Sequence, residues 1–321
     1  MNAPGTTQRL RVRAIAMEAE GILSYELRAA DGRELAAFTA GAHINLLLPG
    51  GLSRSYSLIN SQHERLRYRI AVNKDPKSRG GSRYMHEMLR VGDVLESTVP
   101  RNNFPLAEDA RQSLFIAGGI GITPILGMMR RLAELGRPHQ LYCCARRRES
   151  AAFLDEIAAL AGNGFEHYIR FDQEPGVGML DIASVVSAAD AGTHLYCCGP
   201  APMLDAFERA TALRDPNLVH VESFVARQAA AVDGGYNVEL AKSGRTLRIR
   251  PCETILQALL DAGIDVPYSC MEGSCGSCET RVLEGIPDHR DAVLSREEQA
   301  RNQTMMVCCS GARSDKLVLD L

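Results

Sequence analysis

Little in these 321 residues points to a strongly charged or an oily partner. Lysine and arginine number 36 against 39 aspartate and glutamate, a net charge of −3. The basic face of an electrostatic nucleic-acid binder is therefore missing. No apolar run approaches the roughly eighteen residues that span a bilayer. The first nine residues, Met1-Asn2-Ala3-Pro4-Gly5-Thr6-Thr7-Gln8-Arg9, have no apolar core behind them, which argues against a secretion signal. Without an export route, ten cysteines suit a reducing compartment, where thiols bind metal or simply pack. The expectation is a soluble, cytoplasmic chain with no nucleic-acid or membrane partner, and its length predicts two or three domains.

A second C-x2-C pair is also absent, and with it the usual structural zinc pattern. A disulfide framework has little use in a long chain without a signal. What stands instead is Cys270-Met271-Glu272-Gly273-Ser274-Cys275-Gly276-Ser277-Cys278, with Cys308 thirty positions beyond. C-x4-C-x2-C…C is the plant-type [2Fe–2S] spacing. A two-iron cluster needs four thiolates in a small volume. Gly273, Ser274, Gly276 and Ser277 let the backbone wrap it and leave N–H groups for sulfur. Met306-Val307-Cys308 reads as a short apolar strand delivering the fourth thiolate. Cys309 is an alternative: neighbours on a strand face opposite ways, so only one of the two can reach the cluster. Cys143-Cys144 and Cys197-Cys198 lie in apolar strand-like runs and read as packed thiols, and Cys252 as a packed or surface thiol.

From Leu10 to about Val99 short alternating runs, such as His43–Leu48 and Tyr68–Val72, predict a small antiparallel β-barrel. Inside it lies Arg54-Ser55-Tyr56-Ser57-Leu58, which alone would pass for a strand with a solvated arginine. Arg79-Gly80-Gly81-Ser82, ahead of an amphipathic run from Tyr84 to Leu89, adds backbone N–H groups at a helix start. Arg54 and Arg79 could then clamp a phosphate, with Tyr56 and Ser57 beside a flat heterocycle. FMN fits that description.

The middle third changes period. Ser113–Ala117 is a buried strand, followed by Gly118-Gly119-Ile120-Gly121-Ile122-Thr123-Pro124 and a helix from about Ile125 to Leu135. Strand, glycine turn, helix is where a pyrophosphate rests. Pro124 stands where the dinucleotide fingerprint has its third glycine, and it suits a first helical turn. Further strands at Gln140–Cys144, His167–Arg170 and His194–Cys198, with helices at Ser150–Ala161 and Met203–Ala210, predict a doubly wound parallel sheet. Gly199-Pro200 makes another turn at a strand's carboxyl end. The cofactor's 2′ position falls near Ala145-Arg146-Arg147-Arg148-Glu149, which offers arginines for NADPH and an acid for NADH.

Val225–Gly235 lacks alternation and ends in Gly-Gly, so it reads as a linker. Beyond it come a hairpin (Tyr236–Leu240 and Thr246–Ile249), an amphipathic helix Thr254–Ala262, the cysteine loop and a closing strand Leu317–Leu319. The boundaries expected are 1–108 for the barrel, 109–225 for the α/β domain, 226–235 for the linker and 236–321 for an α+β cluster domain.

These pieces, in this order and over nearly the whole chain, resemble the phthalate dioxygenase reductase family of the ferredoxin–NADP reductase superfamily. The residues that carry the likeness are Arg54–Leu58, Gly80–Ser82, Pro100–Leu106, Gly118–Pro124, Tyr196–Pro200, Glu222-Ser223-Phe224, and the terminal cysteines with Asp288-His289-Arg290-Asp291 among them. The resemblance implies an FMN barrel, an NADH domain and a C-terminal β-grasp ferredoxin domain in a monomer. It makes Arg54, Ser55, Tyr56, Ser57, Gly81 and Ser82 flavin contacts and Arg79 a phosphate contact. It gives Gly119, Gly121, Thr123, Cys198, Gly199 and Pro200 to the nicotinamide nucleotide and places Phe224 near the isoalloxazine. Ser57, Thr123 and Phe224 are thereby set at the reacting rings. It also selects Cys308 over Cys309 beside Cys270, Cys275 and Cys278.

Nicotinamide releases two electrons as hydride and a [2Fe–2S] cluster accepts one, so a flavin must split the pair. The expected activity is the NADH-dependent reductase component of a two-component Rieske-type oxygenase, with NADPH kept open by the triple arginine. The alternatives are a reductase for a P450 or a diiron monooxygenase, and a redox sensor without turnover. No general base is needed, and His289 reads as a surface or loop-stabilising residue.

Overall fold

The computed structural model describes residues 7–161 and 165–321, which leaves the first six residues of the N-terminal segment outside it. The chain divides into two compact units, Met1–Glu222 and Ser223–Leu321.

The first unit opens with β1 (Thr7–Ala19), β2 (Ile22–Ala29), β3 (His43–Leu48), β4 (Leu52–Ser57), β5 (Tyr68–Asn73), α1 (Gly81–Glu87) and β6 (Val94–Thr98). The strands form one antiparallel sheet in the order β4-β3-β6-β1-β2-β5. Alternation aims Leu10, Val12, Tyr25, Leu27, Ile44, Leu46, Tyr68 and Ile70 into a common interior. Just past β4, Ile59 N–H donates to Arg69 O on β5 (2.9 Å), which draws the two ends of the sheet together.

There follow β7 (Ser113–Gly118), α2 (Ile122–Leu135), β8 (His139–Ala145), α3 (Leu154–Leu160), β9 (Glu166–Phe171), α4 (Ile182–Ala188), β10 (His194–Cys198), α5 (Ala201–Ala210) and β11 (Val219–Glu222). The sheet is parallel throughout, in the order β11-β10-β7-β8-β9. The helix α2 starts three residues earlier than its pattern suggested. Thr123 Oγ1 donates to Ile120 O (2.9 Å) and so secures the first turn, and left-handed Gly136 ends the helix. By contrast α3 is shorter than expected, because Arg148–Ser150 form a 3₁₀ turn and Phe153 is left-handed.

The barrel and the parallel sheet are tied within this unit. Arg69 on β5 makes a two-pronged contact with Glu156 on α3 (2.9 and 3.3 Å), and Arg130 on α2 meets the same carboxylate. Burial raises the Glu156 carboxyl, but the two arginines outweigh it and hold the group below its ordinary range. Arg130 Nε also donates to Ile59 O (3.1 Å).

The second unit holds β12 (Asn237–Leu240), β13 (Arg245–Arg248), α6 (Ile255–Asp261), β14 (Glu279–Glu284), β15 (Pro287–Asp288), α7 (Arg296–Arg301), β16 (Thr304–Met306), β17 (Gly311–Ala312) and β18 (Lys316–Leu319). The mixed sheet β13-β12-β18-β14-β16 shares one core with α6, whose Ile255, Leu256 and Leu259 are fully buried. Thr254 caps α6 by accepting from Gln257 N–H. The segment 226–235 has neither helix nor strand. Its latter part nevertheless lies on this unit: Ala231 N–H donates to Cys309 O (2.8 Å), Cys252 N–H to Val232 O (2.7 Å) and Gly235 N–H to Ile249 O (2.9 Å).

Candidate functional site

The strand β4 places Arg54 and Tyr56 two residues apart, so they share one face. Arg54 donates to Ser53 O (2.8 Å) and Arg79 O (3.3 Å). A Cβ at Gly81, which opens α1, would sit 2.7 Å from Arg54 Cγ and Nε. The bare glycine therefore lets the guanidinium lie against the helix start, and Arg54, Arg79, Gly81 and Ser82 come together. Ser82 Oγ accepts from Asp75 N–H (3.2 Å). Ser55 Oγ donates to Asn45 Oδ1 (2.6 Å) and is used within the barrel. Burial raises the Tyr56 hydroxyl against the lowering effect of Arg54, so it stays neutral. Ser57 is buried at the end of the strand.

Two turns interlock at the carboxyl ends of the adjacent strands β7 and β10. A Cβ on Gly121 would strike the Cys198 carbonyl, and one on Gly118 would lie 2.6 Å from Pro200 Cδ. A Cβ on Gly199 would meet Met203 Sδ at 2.6 Å. Gly119 takes φ +54, which a side chain would strain. The turn carrying Gly119, Gly121 and Thr123 and the turn Cys198-Gly199-Pro200 thus lie against each other at the carboxyl ends of adjacent strands, where open α/β sheets bind nucleotides.

One strand end escaped the sequence reading. Short, half-buried β11 pairs Glu222 with Cys198, and the carboxylate lies 4.0 Å from the Cys198 thiol. Although the residue as a whole is half-buried, burial pushes its carboxyl up to about 8. Desolvation, then Glu222, raises the Cys198 thiol. The signal was the Glu222-Ser223-Phe224 tripeptide itself, but its partner depends on a strand of only four residues. Phe224 is 41% exposed and belongs to the second unit.

Two of the three arginines after β8 have side-chain partners among the described residues, and the Arg146 carbonyl accepts from Gln173 N–H (3.0 Å). Arg147 pairs with Glu20 (2.8 Å), whose own N–H donates to Glu149 O (2.7 Å). The Arg148 guanidinium lies 4.7 Å above the Phe171 ring.

In the second unit the cysteine loop turns through left-handed Met271, Gly273 and Gly276. Glu272 N–H (3.3 Å) and Ser274 N–H (3.4 Å) point at Cys270 Sγ, and Cys270 N–H points at Cys275 Sγ (3.5 Å). These are the N–H···S contacts that a cluster's sulfur ligands require. Cys275, Cys278 and Cys308 are buried. Cys308 Sγ is held below the ordinary thiol range, first by the Cys270 thiol, then by Cys278 and Cys309. The strand expected at Met306–Cys308 stops at Met306, and Val307–Cys309 form a turn in which Cys309 and Ser310 N–H both donate to Met306 O. Within this turn Cys308 reaches Cys270 and Cys278 as well as its neighbour Cys309, and Cys309 Sγ also packs on Gly273. The donor set fits a [2Fe–2S] cluster. Cys143, Cys144 and Cys197 are buried and Cys252 is exposed, as packed and surface thiols should be. His289 is not a surface residue: its side chain is 8% exposed.

Residues 238–313 match the 2Fe-2S iron-sulfur cluster binding domain and residues 115–209 the oxidoreductase NAD-binding domain. The chain is 52% identical to phenoxybenzoate dioxygenase subunit beta of Ectopseudomonas oleovorans, over 97% of each chain. It superposes on the solved structure of phthalate dioxygenase reductase with a TM-score of 0.71 and 38% identity, covering 98% of both. The chain belongs to the phthalate dioxygenase reductase family. Its fold is accordingly an antiparallel flavin barrel, a doubly wound nucleotide domain and a ferredoxin domain, and its cofactors are FMN, NADH and a [2Fe–2S] cluster. It is also similar to an intact type IV self-sufficient cytochrome P450 monooxygenase, at a TM-score of 0.89 and 40% identity. That match covers 98% of this chain but 41% of the other, so the chain spans well under half of the P450's length. Among the described residues no helix is long and apolar enough to cross a membrane.

Proposed function

We propose that this chain is the cytoplasmic reductase component of a two-component Rieske-type oxygenase, passing electrons from NADH to a terminal oxygenase. FMN, when bound, would supply the conversion from two-electron to one-electron transfer, and the chain's own work is to hold and orient. The side chains of Arg54 and Arg79 and the backbone at Gly81 and Ser82 would hold the flavin phosphate, with Tyr56 and Ser57 beside the flavin, while Ser55, whose hydroxyl is bound to Asn45, would contribute its backbone alone. Gly119, Gly121 and Thr123 would seat the pyrophosphate at the start of α2, and the Cys198-Gly199-Pro200 turn would lie beside the nicotinamide. Neutral Glu222 beside Cys198 places no full charge there. Cys270, Cys275, Cys278 and Cys308 ligate the cluster.

The observation that carries this reading is the gathering of half-buried Cys270 and buried Cys275 against loop N–H groups, in the same chain as the interlocked glycine turns. Purified protein with NADH should reduce cytochrome c and should support turnover of a purified Rieske oxygenase encoded beside it. Flavin- and iron-replete protein that does neither would refute the proposal. The likeness to the self-sufficient P450 supports a second reading, a P450 acceptor. Turnover with a P450 but not with the Rieske oxygenase would decide for it.

A further inference from the structure

Behind the cysteine loop lies a buried acid that none of the roles above uses. Asp291 is wholly buried at its side chain. Its Oδ2 accepts from Val293 N–H (3.2 Å) and Leu294 N–H (2.8 Å), which closes a tight turn before α7. Its Oδ1 has no hydrogen-bond partner. The nearest cationic candidate, His289 Nδ1, stands 3.7 Å away, beyond hydrogen-bond reach. The arginines nearby are committed elsewhere: Arg290 grips Asp288 (2.7 and 2.9 Å) and Arg313 reaches the same carboxylate (3.3 Å).

This acid is pressed against the loop between two of the cysteines. Ala292 N–H donates to Gly273 O (2.9 Å). A Cβ at Gly273 would lie 3.0 Å from Asp291 Cα and 2.5 Å from Cys309 Sγ. The loop therefore rests directly on the segment around Asp291 and on the neighbour of Cys308.

We propose that Asp291 is a positioning residue that also lowers the reduction potential of the cluster through its buried negative charge, an inference that rests on Cys270, Cys275, Cys278 and Cys308 being the ligands. Reduction adds one negative charge to the cluster. A carboxylate held close by, with little water to screen it, opposes that charge and makes the reduced form harder to reach. Asp291 thus fixes the loop through one oxygen and sets a local field through the other.

Asp291→Asn separates the two effects, because an amide oxygen can still accept from Val293 and Leu294 while the charge is gone. Iron and sulfide content, the visible and EPR spectra of the reduced cluster, and its midpoint potential would be measured on the full chain. Full cluster content, unchanged spectra and a more positive midpoint are expected, with Asp291→Glu staying close to the wild-type potential. An Asn variant loaded with iron at the wild-type midpoint would overturn the inference. So would an Asn variant that cannot hold iron, since Asp291 would then serve folding alone. Wild-type protein that binds no [2Fe–2S] cluster would instead sink the ligand assignment beneath it.

Discussion

Replacing Gly121 with alanine tests whether the interlocked turns seat the nucleotide. Gly121 has φ −61, a conformation alanine adopts freely, so no backbone strain enters. What enters is one methyl group, 2.5 Å from the Cys198 carbonyl carbon and 3.0 Å from Gly199 N. Ordinary carbon contacts lie at about 3.5–4.0 Å, so the overlap is roughly 1 Å. Both obstacles are backbone, and neither can rotate away. The two turns must part by about that distance, at a cost of about 1–3 kcal/mol for overpacking. A shift of about 1 Å at a binding constellation can cost up to ~100-fold in rate. In NADH-dependent ferricyanide reduction, kcat/KM should fall at least about tenfold, with flavin and iron content unchanged. Gly119→Ala makes the comparison. There φ is +54 and nothing lies within 4 Å of the new Cβ, so about 1–2 kcal/mol of strain is expected with a milder kinetic loss. If Gly121→Ala melts like wild type and keeps kcat/KM for NADH within twofold, the interlocked turns are not the nucleotide seat.

Cys275→Ser should abolish delivery to cytochrome c or an oxygenase while ferricyanide reduction by NADH persists; full activity with the oxygenase would put the cluster off the path. Glu20→Gln should free Arg147 and raise kcat/KM for NADPH about two- to fivefold, the scale of one exposed ion pair. Arg147→Ala alone should leave the NADPH-to-NADH ratio unchanged, and a tenfold fall in NADPH use would show instead that Arg147 reads a 2′-phosphate. His139 is fully buried, and burial, then His167, lowers it to about 4. Its unfolded value is near 6.5, so the unfolded chain binds the extra proton between those limits. The stability it contributes is complete above about pH 6.5 and is lost as pH falls toward 4, by about 3 kcal/mol. Urea titrations at pH 7 and 4.5 should show that slope, flattened in His139→Gln; parallel profiles for the two proteins would contradict it.

The elements that could be read from sequence are those whose signal is local. The cysteine loop announces itself by spacing, α2 by its glycine turn and apolar face, and β7, β8 and β10 by short buried runs. The failures share one cause. The expected strand through Cys308 is cut short because Cys309 and Ser310 turn back to bond Met306 O, and apolarity alone does not distinguish a buried turn from a buried strand. The helix α3 loses its first turn to left-handed Phe153, a conformation that no propensity scale assigns to phenylalanine. The linker expected from composition is half pinned, because Ala231 and Val232 find main-chain partners on Cys309 and Cys252, some 78 and 20 positions away.

The same reasoning explains which parts of the site stayed hidden. Arg54 and Gly81 are 27 positions apart, and each was named for its own motif, but that the glycine exists to admit the arginine is visible only in their contact. Glu222 carries no local mark as a functional acid. It stands out only when β11 lays it beside Cys198, where burial of its carboxyl raises it to about 8. His289 and Asp291 look like a solvated run between charged neighbours, and the run is divided by the fold: Asp288 gathers Arg290 and Arg313, while Asp291 turns inward against Gly273. Charge in a sequence says how many ionic groups there are. Only packing says which of them water can no longer screen, and in an electron carrier those are the groups whose removal should be felt as a change in potential.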